Sequence, residues 1–210
     1  MVNKNKFIKI SNHNDQILNV FNSILKINGR QFGQNGKEYY GLSDDAKGVQ
    51  WNIAISKENK NTRLGVNLEG MKYKDWPIAK FIENEKNKMS LCNTGELSQA
   101  DKIIVGFYRD AWQCASRPDI DEYHIQKETP LSQLNEDIYN SMLNEAYDCL
   151  NSNKNHRGRA KQYVTTTKNK KLMEVSPHLN IHMYISYSSS KLEMKKIFNV
   201  LQPIYDLVVK

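Results

Sequence analysis

The stretch Thr62–Asp110 constrains this chain most. An apolar run, Thr62-Arg-Leu-Gly-Val-Asn-Leu-Glu69, is followed by a helix-patterned segment opening at Asp75, and then by Lys102-Ile-Ile-Val-Gly-Phe-Tyr108. Two apolar strands joined by a helix-length connection predict a β-α-β unit, a parallel pair with a right-handed crossover. Acids stand at both strand ends, Glu69 and Asp110. Ligands of open α/β sheets bind at the carboxyl ends of strands, so these positions mark where chemistry is expected.

The flanks extend the unit. Ile17, Leu18, Phe21, Ile24 and Leu25 share one face of a predicted helix over Asp15–Ile27, stopped by Gly29. Gly29–Gly36 reads as a polar loop, Lys37–Leu42 as a short strand and Ser43–Gly48 as a turn. Val49, Trp51, Ile53 and Ile55 alternate along a strand. The polar turn Lys57–Asn61 makes it an antiparallel hairpin with Thr62–Glu69. Asp75 is expected to cap the next helix, with Pro77 in its first turn and Ile78, Phe81, Ile82 and Met89 on its buried face. The predicted core is therefore αβββαβ.

Further on, Glu122–Lys127 reads as a short edge strand. Thr129 and Pro130 read as the start of a helix striped by Leu131, Leu134, Ile138, Met142, Ala146 and Cys149. A hairpin of Lys161–Thr167 and Lys170–Ser176 is expected next. In the following strand, His178–Tyr187, Leu179, Ile181, Met183 and Ile185 should point in and His178, Asn180, His182 and Tyr184 out. A last helix should open at Ser190 and Glu193 and stop near Pro203. The fold class is α/β to α+β: a mixed sheet in an α/β core over residues 1–115, and a helical and hairpin extension over 116–210. The boundary near 115 is soft, within what 210 residues can make as a single domain.

No apolar run has the ~20 residues of a membrane span or makes a signal peptide, so a cytoplasmic address without membrane partners is expected. Cys92, Cys114 and Cys149 form no C-x-x-C pair and read as reduced thiols. The absence of G-x-G-x-x-G and of a Walker A motif disfavours dinucleotide and P-loop chemistry. His178 and His182 lie about 13 Å apart if they share a strand, too far to hold one ion, and read as exposed histidines of a sheet face. Trp51, Trp76 and Trp112 read as packing residues.

Charge is unevenly spread. Net charge is +7, and Cys149–Met173 holds Lys154, Arg157, Arg159, Lys161, Lys168, Lys170 and Lys171 without one acid. Residues 117–148 are predominantly acidic. Such a basic run, with Gly158 and Tyr163 in it, suits a nucleic-acid backbone, although a solvated basic hairpin would have the same composition.

The acids form the second candidate. A hairpin turn centred on Asn59 sets residue 49 opposite residue 69, which brings Asp44 and Asp45 near Glu69 and Lys72, with Asp110 on the parallel neighbour. Converging carboxylates suit Mg²⁺, and a nearby Lys can stabilise charge on a phosphate. Taken singly, Asp44 and Asp45 also read as turn residues, and Glu69 and Asp110 as solvated strand-end acids.

Over about residues 14–110 the element order, with an acid before the second strand and Glu and Lys around the third, resembles the core of PD-(D/E)XK nucleases. The family pattern has Pro-Asp and Glu-x-Lys. This chain has Ser43-Asp44-Asp45 and Glu69-Gly-Met-Lys72, one residue longer, while its tighter Glu58-Asn-Lys60 and Glu193-Met-Lys195 fall in a predicted turn and helix. The resemblance implies a DNA-binding, Mg²⁺-dependent endonuclease of restriction or defence type. Asp45 and Glu69 would hold the metal, Lys72 would lie by the scissile phosphate, and Asp110 would assist. A homodimer is compatible with this reading. The alternatives are a non-catalytic nucleic-acid-binding or protein-interaction module, and an enzyme acting on a small phosphorylated substrate.

Overall fold

The structure, a computed structural model, describes residues 30–33, 39–44, 49–56, 59–68, 81–82, 84–108, 126–151, 161–165, 170–174, 178–186 and 191–209. The fold is α+β. Its elements are β1 (Arg30–Gly33), β2 (Tyr39–Asp44), β3 (Val49–Ser56), β4 (Asn61–Leu68), α1 (Glu85–Cys92), β5 (Ile104–Tyr108), β6 (Gln126–Pro130), α2 (Glu136–Asn151), β7 (Lys161–Thr165), β8 (Lys170–Glu174), β9 (His178–Ser186) and α3 (Lys191–Val209). Single 3₁₀ turns occupy Asn93–Glu96 and Leu131–Gln133. The chain forms two compact units, Met1–Asn67 with His182–Lys210, and Leu68–Ile181. The expected helix over residues 15–27 and the soft boundary near 115 lie outside the described residues.

In the first unit the strands run β1-β2-β3-β4, and β4 has β9 as its other neighbour. β1 was expected to be loop. It pairs antiparallel with β2, Arg30 opposite Ser43 and Gly33 opposite Tyr40. Backbone hydrogen bonds alone suffice for such a strand, so it carries little apolar signal. β2 and β3 are antiparallel with Asp44 opposite Val49. β3 and β4 are neighbours joined by four residues, which is far too short for a parallel crossover, so they form the expected hairpin. Lys60, in its turn, adopts a left-handed φ of 51°. The apolar face of these strands packs on α3: Trp51 stacks on Tyr205 at 5.0 Å between ring centroids and meets Phe198 edge-on at 5.5 Å. α3 runs through Pro203 instead of stopping there. Leu201, Ile204, Tyr205 and Val208 stay buried on both sides of the proline, so packing outweighs the lost backbone bond.

In the second unit β5 lies between β9 and β6. β4 and β5 are not neighbours, so the adjacent parallel pair expected from the sequence is not formed. The helix expected from Asp75 through Met89 is interrupted at Asn84, whose Oδ1 accepts from the Asn87 N–H at 3.2 Å and caps α1. Leu91 is buried there, whereas Met89 is 50% exposed. Thr129 and Pro130 do not start a helix. They end β6, and the Leu131 N–H continues the ladder by donating to the Ile103 carbonyl at 2.7 Å. α2 starts later, where Asn135 Oδ1 accepts from the Ile138 N–H at 2.9 Å. Tyr139 of α2 packs edge-on against Phe107 of β5, 5.2 Å between centroids, and its hydroxyl donates to the Ile82 carbonyl at 2.7 Å. β7 and β8 make a two-stranded antiparallel sheet of their own, as expected, with Lys161 opposite Glu174 and Thr165 opposite Lys170.

Candidate functional site

Alternation puts Val49, Trp51 and Ile53 of β3 on one face and Gln50 and Asn52 on the other. The same rule sets Arg63 and Asn67 of β4 opposite to Leu64, Val66 and Leu68, and His178, Asn180 and His182 of β9 opposite to Leu179, Ile181 and Met183. Apart from half-buried Arg63, both sets are buried. Gln50, Asn52, Asn67, His178, Asn180 and His182 are each under a tenth exposed, and only Tyr184 of the expected outward residues reaches solvent. The sequence reading of β9 as half-solvated is thus corrected: period-2 alternation assigns residues to faces but does not say which faces are covered.

In the first unit the His182 ring lies 5.1 Å from that of Tyr184, edge to face. Burial pushes the His182 pKa down to about 3, and the like charge of Arg63 adds to the effect. The imidazole is therefore neutral at ordinary pH. Asn52 of β3 is fully buried, and neither its Oδ1 nor its Nδ2 has a hydrogen-bond partner among the described residues. The polar layer can hydrogen-bond neutral polar groups. Among the described residues it brings together no group of carboxylates that could hold a metal ion.

The second unit carries a different polar cluster. Lys88 of α1 is buried; its Nζ donates to Glu85 Oε2 at 2.6 Å and to Asn140 Oδ1 at 3.4 Å, with Glu136 Oε1 at 3.8 Å. The Glu85 bond raises the Lys88 pKa and lowers that of Glu85. Half-buried Cys92 is a free thiol whose pKa burial pushes up, with Glu136 adding. It lines a shallow cavity of about 410 Å³ with Glu96, Ser132 and Leu134. A wider, open groove of about 630 Å³ lies between β6 and α2, lined by Lys127, Thr129, Asp137, Ile138 and Met142. Lys127 forms an ion pair with Glu145.

Of the residues expected to carry chemistry, Asp45, Glu69, Lys72 and Asp110 lie outside the described residues, as do Lys154, Arg157, Arg159 and Lys168. Asp44 ends β2; Lys161, Lys170 and Lys171 are in the β7–β8 ribbon. Glu58 is outside the described residues, and Glu193 and Lys195 are in α3, as expected. Among the described residues no three His, Cys, Asp or Glu side chains are grouped to hold a metal ion, and no helix is long and apolar enough to cross a membrane. Sequence reasoning missed the buried polar residues, although Gln50 and Asn52 alternate with Val49, Trp51 and Ile53 along β3. It also missed Lys88, for which Glu-Lys-Asn-Lys gives no signal of burial. No protein family, no curated protein and no solved structure matches the chain.

Proposed function

We propose that this chain is a DNA-binding, Mg²⁺-dependent endonuclease of restriction or defence type, acting in the cytoplasm. The observation that carries the proposal is the run of β2, β3 and β4. Asp44 pairs with Val49, and β3 and β4 form a hairpin, so the end of β2, the start of β3 and the end of β4 share one end of the sheet. Asp45 follows β2 directly in sequence and Glu69 follows β4. Asp45 and Glu69 would supply the oxygen ligands Mg²⁺ requires, Lys72 would neutralise charge on the scissile phosphate, and Asp110 would assist as a further acid. When bound, the ion would supply Lewis acidity and an activated water. The acid-free basic run would hold the DNA backbone.

A specific observation favours the second reading, a non-catalytic nucleic-acid-binding or protein-interaction module. β4 and β5 are not neighbours, so the strand before Glu69 is not paired with the strand before Asp110. Cleavage assays on DNA and RNA, with Mg²⁺ and with EDTA, decide between the two. The expected result is Mg²⁺-dependent DNA cleavage that Glu69→Gln abolishes while DNA binding persists. A wild-type chain that binds but never cuts establishes the second reading; full cleavage by Glu69→Gln removes Glu69 from the site.

A further inference from the structure

We propose that the groove between β6 and α2 docks an extended peptide of a partner protein, one in which an apolar residue is flanked by lysine or arginine. The site goes beyond the nuclease reading and does not depend on it. The groove has a volume of about 630 Å³ and is open to solvent. Small-molecule sites bury roughly 70–90% of their ligand, which an open groove does not do; it suits a chain that needs only some of its side chains covered. One wall is β6, the last strand of its sheet among the described residues. Val105 pairs with Thr129 and Phe107 with Lys127, and the Leu131 N–H donates to the Ile103 carbonyl. Leu131, Thr129 and Lys127 therefore turn their backbone groups to β5, and Glu128 and Pro130, between them, turn theirs outward. Pro130 lacks an N–H and stands where β5 needs none, as edge prolines do.

The other wall sets the chemistry. α2 covers the face of β6 that carries Lys127 and Thr129: Lys127 pairs with Glu145, and Phe107, opposite Lys127, meets Tyr139. Between the walls Met142 and Thr129 are buried and Ile138 is half-buried, which gives a largely apolar floor for one side chain. Exposed Asp137 and Ser141 stand four residues apart, on one side of the helix, and form the rim. α2 contains four acids, Glu136, Asp137, Glu145 and Asp148, and no Lys or Arg. Lys88 faces Glu136 and Lys127 pairs with Glu145. Asp137 has no ion pair among the described residues, and it lies at the groove, where it selects a cation beside the apolar residue. At physiological ionic strength charges beyond about 8 Å are screened, so the acids of the groove, and not the net charge of +7, set the local preference. A second copy docked through the same surface would set one acidic α2 against another, which disfavours self-pairing.

The test is fluorescence anisotropy of the full chain at physiological salt, with labelled octapeptides that carry Leu, Ile, Val, Phe or Met at the centre. The flanking residues are Lys or Arg in one set, Gln in a second and Glu in a third; a fourth set keeps Lys and Arg and has Ser at the centre. Apolar–basic peptides should bind about tenfold more tightly than their Glu counterparts and several-fold more tightly than the Ser-centred set. Asp137→Lys should weaken the best peptide by about three- to tenfold and turn the preference toward the Glu set. Ser141→Trp, which fills the groove without changing charge, should weaken every set. Both positions are exposed, so neither change empties the core. In the unaltered protein, amide NMR shifts on peptide addition should concentrate at Thr129, Ile138, Ser141 and Met142. Binding by no peptide, equal binding of the Ser-centred set, or shifts confined to other segments overturns the assignment. Self-association that Ser141→Trp abolishes would give the groove to a second copy and overturn it as well. None of these readouts involves nucleic acid, so failure here leaves the nuclease reading where it stood.

Discussion

The two units bury polar groups in opposite ways. In the first, His182 is fully buried on the polar face of β9, and both forces acting on it, burial and the Arg63 guanidinium, oppose its charge. It stays neutral. In the second, Lys88 is 5% exposed and remains an ammonium, because Glu85 and Glu136 reach it from the surface with side chains 68% and 48% exposed. The difference teaches where a charge can be buried. It is tolerated when its counter-ions remain largely in water, so that only one member of each pair loses hydration. Where no such partner is supplied, the neutral form is what the fold can accommodate.

The largest expected effect tests what supports the polar layer of the first unit. That layer contributes little burial energy, so the opposite face of β3 must carry the load. Trp51 is 1% exposed and sandwiched against Phe198 and Tyr205. Trp51→Ala should cost about 3–5 kcal/mol, the usual range for emptying a large aromatic site. The denaturant midpoint measures it. A loss under about 1 kcal/mol, far below that range, would mean that the polar face carries more stability than its chemistry implies.

The next effect concerns His182 directly. Its folded pKa, about 3, lies below the ordinary 6.5. Above the ordinary value both folded and unfolded chains hold it neutral, and the contribution to stability is fully present. As pH falls below that value the unfolded chain takes up a proton that the folded chain refuses, so stability declines until pH reaches the folded pKa. At about pH 4.5 the decline from this group alone should be about 2–3 kcal/mol. His182→Gln should flatten the pH profile of unfolding by that amount. Superimposable profiles for the two proteins would show that His182 is not held neutral, and the contrast with Lys88 would collapse.

Much of the strand framework was legible in the sequence. β3, β4, β7, β8 and β9 fall within a few residues of where alternation and turn chemistry put them. What alternation cannot convey is how many faces are covered, and so His178, Asn180 and His182 were expected to point outward although they are buried. Strand order was illegible for a related reason: a helix-length connection is compatible with a parallel neighbour but does not require that the two strands it joins be adjacent. Asn84 and Asn135 were overlooked as caps because Asp75 and Thr129-Pro130 offered stronger local signals. At Pro130 the pairing of β6 with β5 won over helix initiation. The expected acids Asp45, Glu69, Lys72 and Asp110 were visible as strand-end residues, and they fall outside what the structure describes.

The smallest effect probes the second unit. Lys88→Met keeps the aliphatic stem that packs within the unit and removes only the ammonium. Glu85 and Glu136 then return to water, where they are already mostly solvated, and Asn140 loses a weak donor. The denaturant midpoint should fall, but by less than for Trp51→Ala. Glu85→Gln should do less still, since Glu136 and Asn140 continue to hold the ammonium. The double variant should match Lys88→Met alone, because once the ammonium is gone Glu85 has no partner left to lose there; such non-additivity is the mark of a direct pair. Added salt should weaken the wild-type advantage only slightly, as expected for an ammonium shielded from solvent. Strictly additive losses would mean that Glu85 and Lys88 act separately. The ammonium would then be held by Glu136 and Asn140, and the surface counter-ion nearest to it would play no part in keeping it charged.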